Sequence, residues 1–155
     1  MLVIPHLILT REGKILLTRR ASTKTLWPNH WHCVTGTVET GESPKQAIIR
    51  EAYEEIGITL DSVTLAITAY LDERSFFEWD KRFYGLELFF WAHCPDDQDP
   101  YNAEPHKQDA IGWFDPRNLP SPMIPGVTLG IEAFLELGDR LLNGQDIYRE
   151  FRLHY

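Results

Sequence analysis

Residues 36–58 read GTVETGESPKQAIIREAYEEIGI, a loop, one short helix and a stop, and the rest of the chain is organised around them. Ser43 supplies a helix N-cap and Pro44 suits the first helical position. Gln46 stands where a capping-box partner reaches back to the cap. Gly57 provides the left-handed residue that commonly ends a helix. Between these limits Glu51, Glu54 and Glu55 are separated by steps of three and four, so they share one face. Ile49, Ala52, Tyr53 and Ile56 fall on the other side and form the expected buried stripe.

An acidic face of this kind does not stabilise a helix. Like charges three or four residues apart cost roughly 0.2–0.5 kcal/mol per pair. Arg50 offsets part of the repulsion by pairing with Glu54, whereas Lys45 is placed for neither Glu51 nor Glu55. Two readings follow: a solvated acidic face, or a set of hard oxygen ligands whose repulsion Mg²⁺ or Mn²⁺ would relieve.

Gly36, Glu42 and the run Arg50-Glu51-Ala52-Tyr53-Glu54-Glu55-Ile56-Gly57-Ile58 resemble, at this spacing, the signature of the Nudix (MutT-like) hydrolases. The one departure is Ala52, where that family usually carries a larger aliphatic residue. The resemblance implies an α/β (α+β) fold, a Nudix-type α/β/α sandwich with a mixed sheet and a catalytic loop–helix–loop. It also implies a single Nudix hydrolase domain over residues 1–155. The activity implied is Mg²⁺-dependent hydrolysis of a nucleoside triphosphate-like substrate, giving a monophosphate and pyrophosphate, with Mn²⁺ as a possible substitute. By motif position Glu51, Glu54 and Glu55 are the metal ligands and catalytic groups, and the Gly36 carbonyl completes the shell. Glu42 and Arg50 are the pair that ties loop to helix.

The general base is left open by the same resemblance. Some relatives carry Glu-Pro-Glu-Lys late in the chain, where this sequence has Glu104-Pro105-His106-Lys107 ahead of Trp113. Glu104 is the first candidate, Asp109 the second, and His106 stands where an acid is replaced; a box glutamate acting through bound water is the alternative. Substrate-facing candidates are Arg19 or Arg20, of which strand alternation turns one inward, together with His32 and Glu39. The VTGTVE run at 34–39 is similar to the form seen in dihydroneopterin triphosphate pyrophosphatases and some (d)NTP pyrophosphohydrolases. An ADP-sugar or dinucleoside polyphosphate pyrophosphatase is the alternative substrate class. A non-catalytic nucleotide-sensing module is the alternative of another kind, disfavoured because every box glutamate is present.

The bulk properties bound these readings. The chain has 155 residues, 43% apolar and 25% charged, enough to bury one core without staples. A net charge of −8 argues against a nucleic-acid duplex or an anionic membrane as partner. The expected partner is a small nucleotide or related diphosphate, and the expected state monomer or homodimer. Cys33 and Cys94 show neither CxxC nor zinc-ligand spacing. The first residues place charge after a short apolar run, the reverse of a secretory signal, and no run reaches membrane-spanning length. A cytoplasmic protein with reduced thiols is the expectation.

Around the central stretch the patterning predicts strands at 2–10, with Pro5 assigning the first to an edge or bulge, and at 14–20, 31–35, 63–71, 83–93 and 110–114. Residues 72–82 read as a hairpin loop whose Phe76, Phe77 and Trp79 are candidates for stacking a base. An acidic, turn-rich connection covers 95–105. A terminal amphipathic helix is predicted over 128–142, ended by Gly144.

Overall fold

The computed structural model describes residues 2–73, 83–138 and 148–151, with the side chains of 71–73, 83–84 and 148–151 outside that description. The expected hairpin loop with Phe76, Phe77 and Trp79, and the expected stop at Gly144, lie outside the described residues. Among the described residues eight strands and two helices follow in the order β1 (Leu2–Arg11), β2 (Lys14–Arg20), β3 (Trp31–His32), β4 (Val34–Thr35), α1 (Pro44–Ile56), β5 (Thr64–Glu73), β6 (Phe83–His93), β7 (Gln108–Phe114), α2 (Pro125–Leu137) and β8 (Tyr148–Phe151).

The strands form one mixed sheet in the order β3-β2-β1-β6-β5-β8, with β4 paired to β1 and β7 to β2. The pairs β1–β6 and β5–β8 are parallel, the others antiparallel. Alternation along the central strands divides the apolar side chains between two cores. Leu7, Leu9, Leu16, Phe90 and Ala92 meet Ile48, Ala52 and Ile56 of α1 on one face. Ile8, Ile15, Leu17 and Phe89 meet Val127, Ile131 and Leu137 of α2 on the other. Each fully buried isoleucine or leucine contributes about 1.5–3 kcal/mol of burial, so α1 is pinned to the sheet by its apolar side while its acids reach the edge. This is the α/β/α sandwich with a mixed sheet that the sequence implied.

Several boundaries differ from the sequence reading. Pro5 lies within an interior strand, not at an edge. β4 meets β1 only at His6 and Leu7, so the missing N–H of Pro5 falls where the ladder asks for none, and its carbonyl accepts the Thr35 hydroxyl at 2.8 Å. Residues 31–35 form two short strands on different partners, β3 on β2 and β4 on β1. β7 begins at Gln108, and α2 begins at Pro125, the N1 position that proline favours. The terminal strand β8 was not anticipated.

Candidate active site

Helix α1 is built as its residues dictate. The Ser43 side chain accepts the Gln46 N–H at 3.2 Å and the Gln46 side chain accepts the Ser43 N–H at 2.9 Å. Gly57 leaves the helix at φ +70°, and the Ile58 N–H reaches back to the Ala52 carbonyl at 3.2 Å. The buried side differs from the expected stripe. Tyr53 is 64% exposed, while Glu51 and Glu55 are each only 8% exposed and lie beside Ile48 and Ala52. Glu54 points outward. Two of the three acids are therefore held where water is scarce.

Arg50 organises them. Its Nε and Nη2 donate to the two Glu42 carboxylate oxygens at 2.9 and 3.0 Å, and Nη2 also donates to the Thr37 carbonyl at 3.0 Å. Its Nη1 donates to Glu51 at 2.9 Å and Glu54 at 3.0 Å. The Glu42 carboxylate also accepts the Glu39 N–H at 3.0 Å, which closes the loop on itself. Arg50 hydrogen bonds hold the Glu42 carboxyl below its usual range, and Glu42 in turn raises the guanidinium above its own. A planar fork with this many directed donors is what a lysine lacks.

Gly36 faces Glu51. A Cβ on Gly36 would fall inside the Glu51 carboxylate. The backbone there is not left-handed, so glycine is required for room, not for conformation.

Burial raises the Glu51 carboxyl, with the Arg50 hydrogen bond opposing it. Glu55 is driven further, to about 8, first by burial and then by the charge of Glu51, with the Thr35 N–H opposing. Two carboxylates crowded in a dry site cannot both ionise cheaply.

A second segment closes over this helix. The Tyr101 N–H bonds the Ile56 carbonyl and the Ala103 N–H the Glu55 carbonyl, both at 3.1 Å. Gln108, 2% exposed, donates from Nε2 to the same Glu55 carbonyl at 2.7 Å. These bonds satisfy the open C-terminal carbonyls of α1 and bring Glu104 into the field of Glu55. Glu104 takes the Lys107 ammonium at 2.7 Å on one oxygen, and its other oxygen is buried without a hydrogen-bond partner.

The remaining candidates separate. Arg19 is committed to Asp109 at 2.7 Å and lies over the Trp31 ring. Arg20 turns to the α1 side: burial lowers its pKa and the charge of Glu55 raises it. His32, expected to face substrate, is instead enclosed by its neighbours. It is 3% exposed, with one ring nitrogen on the Cys33 carbonyl and the other 3.3 Å from the Thr18 hydroxyl. Burial holds it neutral, with its pKa lowered to about 3. Glu39 and His106 have exposed side chains. Lys107 and Gln108 were missed by the sequence reading; the i, i+3 spacing of Glu104 and Lys107 was the available signal for the first.

The donor set suits a hard divalent cation: carboxylates, a glycine carbonyl, and one orphaned carboxylate oxygen nearby. Among the described residues no three carboxylate, imidazole or thiol groups already converge on one point. Arg50 holds one oxygen each of Glu51 and Glu54, which leaves the second oxygen of each carboxylate to meet a cation.

Residues 2–134 match the family model for the NUDIX domain. The chain is 32% identical to CTP pyrophosphohydrolase of Escherichia coli over 138 residues, 88% of this chain and 93% of that protein. It is also 32% identical to isopentenyl-diphosphate Delta-isomerase of Corynebacterium diphtheriae over 114 residues, 70% of this chain but only 60% of the isomerase. Among solved structures, the MutT NUDIX hydrolase from Burkholderia pseudomallei superposes with a TM-score of 0.72 at 27% identity, covering 84% of this chain and 95% of that one.

Proposed function

The chain belongs to the Nudix family, and from that premise we propose that it is a divalent-cation-dependent pyrophosphohydrolase of nucleoside triphosphates or close analogues. One observation carries the reading: α1 presents Glu51, Glu54 and Glu55 beneath the Gly36 loop, with Glu51 and Glu54 aimed by Arg50 and Glu55 buried beside Glu51. The likeness to a CTP pyrophosphohydrolase spans nearly the whole of both chains and supports a triphosphate. The likeness to an isomerase covers a smaller part of that enzyme, whose substrate by name also carries a diphosphate group.

Hydrolysis of such a bond needs charge neutralised on the transferred phosphoryl group and a water held in line, with little covalent help. A Mg²⁺ ion, when bound, neutralises phosphate oxygens and lowers the pKa of its water. Glu51, Glu54 and Glu55 would hold it, with the Gly36 carbonyl beside them. Arg20, not Arg19, is the arginine we assign to phosphate: its Nε donates to the Leu26 carbonyl at 2.7 Å but its guanidinium lies in the field of Glu55, whereas Arg19 is spent on Asp109. Glu104 is our choice of general base: its second oxygen is buried with no protein partner, next to Glu55, and a water bound at the cluster would give that oxygen the partner it lacks. Asp109 is less suited while Arg19 holds it.

The test is release of pyrophosphate and monophosphate from CTP, other (d)NTPs, dihydroneopterin triphosphate, ADP-ribose and dinucleoside polyphosphates, with and without Mg²⁺. Turnover of a triphosphate that requires the cation, and falls at least about 100-fold in Glu54→Gln, is the expected result. No hydrolysis of any substrate at saturating Mg²⁺ would overturn the reading.

A further inference from the structure

We propose that Lys107 is the resident counter-charge of the carboxylate cluster, opposing the entry of a cation in the empty site and binding a substrate phosphate oxygen in the loaded one. The inference rests on the reading of Glu51, Glu54 and Glu55 as the cation site.

Glu51, Glu54 and Glu55 lie along one helix and Glu104 stands in the field of Glu55, in a chain whose net charge is already −8. Arg50 answers them from the loop side, but Glu42 and the Thr37 carbonyl occupy much of its fork. On the turn that closes over the helix, the ammonium of Lys107 lies 2.7 Å from Glu104, and its charge acts favourably on both Glu51 and Glu55. The reciprocal attraction raises the Lys107 pKa, the Glu104 hydrogen bond being the largest cause.

The turn that carries this charge is fixed by backbone, and the ion pair to Glu104 places the ammonium. The Lys107 and Gln108 N–H groups bond the Glu104 carbonyl at 2.9 and 3.1 Å. The Gln108 side chain and the Ala103 N–H fasten the same turn to the Glu55 carbonyl. The Lys107 backbone therefore stays beside the cluster, and while Glu104 holds the ammonium there it repels an arriving divalent ion. An ammonium carries three N–H donors and Glu104 uses one, which leaves donors for a phosphate oxygen once substrate lies against the helix. The side chain is 42% exposed, so truncating it leaves no cavity.

Two effects of opposite sign separate this role from a structural one. In Lys107→Met, calorimetric titration of Mn²⁺ or Mg²⁺ into the substrate-free protein gives a Kd roughly tenfold tighter than wild type, since a like charge has been removed. At saturating Mg²⁺ the same variant shows a KM for the triphosphate roughly tenfold higher, the loss of one charge-assisted phosphate contact. Lys107→Arg restores both values towards wild type, and Lys107→Gln repeats the pattern if Met perturbs folding. An unchanged or weaker cation Kd in the Met and Gln variants, or an unchanged KM, overturns the proposal. Wild-type protein that binds no divalent cation and cleaves no triphosphate refutes the site assignment instead, a result the Lys107 variants cannot mimic.

Discussion

Glu55→Gln offers the sharpest test of how the acid cluster is built, because it predicts a gain in stability. The wild-type carboxyl is moved by burial from an ordinary 4.5 to about 8. Since the native carboxyl keeps its proton to higher pH than the unfolded one, the native state binds more protons than the unfolded chain between these values. Stability therefore falls as pH rises from about 4.5 to about 8, and is fully retained only below that window. At about 1.36 kcal/mol per pH unit the ceiling of this loss is about 5 kcal/mol. The residue is only 8% exposed, so solvent screening trims the figure little. Glutamine keeps the shape and carries no charge. In cation-free buffer the variant should match wild type near pH 5 and melt higher at pH 8. At about 2–4 °C per kcal/mol for a chain of this size, the gap approaches 10 °C or more. Adding Mg²⁺ at pH 8 should close it by raising wild type alone, since a bound cation stabilises only the form that holds it. Thermal melts of both proteins from pH 4.5 to 9, with and without Mg²⁺, supply the measurement. Parallel curves across that range would show that Glu55 is not desolvated as described.

Further outcomes follow from the same contacts. Arg50→Ala should lower both melting temperature and turnover, and Arg50→Lys should restore little of either, because the fork to Glu42 is lost; lost turnover at an unchanged melting temperature would dissociate Arg50 from the loop. Gly36→Ala should cut kcat/KM at least tenfold while the melting temperature moves by a few degrees, because the colliding atoms are the movable end of Glu51; wild-type kinetics would show that the close approach is dispensable. Gln108→Leu removes one buried hydrogen bond while the Ala103 N–H still serves the Glu55 carbonyl, a loss of about 1 kcal/mol and about 2–4 °C. A rise in melting temperature would refute that assignment.

The parts legible in the sequence were those set by neighbours three or four residues apart. Ser43, Gln46 and Gly57 each declare a local geometry, and the helix takes its bounds from them. The buried face of that helix was harder to read. Polarity assigned Tyr53 inward and the acids outward, but the turn carrying Tyr101, Ala103 and Gln108 covers the C-terminal end of α1 from some fifty residues away, where Gln108 donates to the Glu55 carbonyl. No pattern within the helix announces that cover. The same limit applies to Arg19 and Arg20. Alternation says that one faces α1, but only Asp109 and Trp31 on other strands decide that Arg19 is the one retained elsewhere. β8 escaped for a related reason, since it is stabilised by parallel pairing with distant β5 and not by a turn signal of its own.

The parallel seam between residues 2–10 of β1 and 85–93 of β6 carries a consequence for synthesis. A nascent chain has made its acidic helix by residue 56, yet part of the floor beneath that helix, Phe90 and Ala92, does not yet exist. At about 5–20 residues per second the ribosome takes roughly 2–8 s to supply it, and during that interval β1 offers an unpaired edge and α1 an uncovered apolar side. A truncated product ending before β6 would keep every carboxylate of the signature and still lack the platform that aims them.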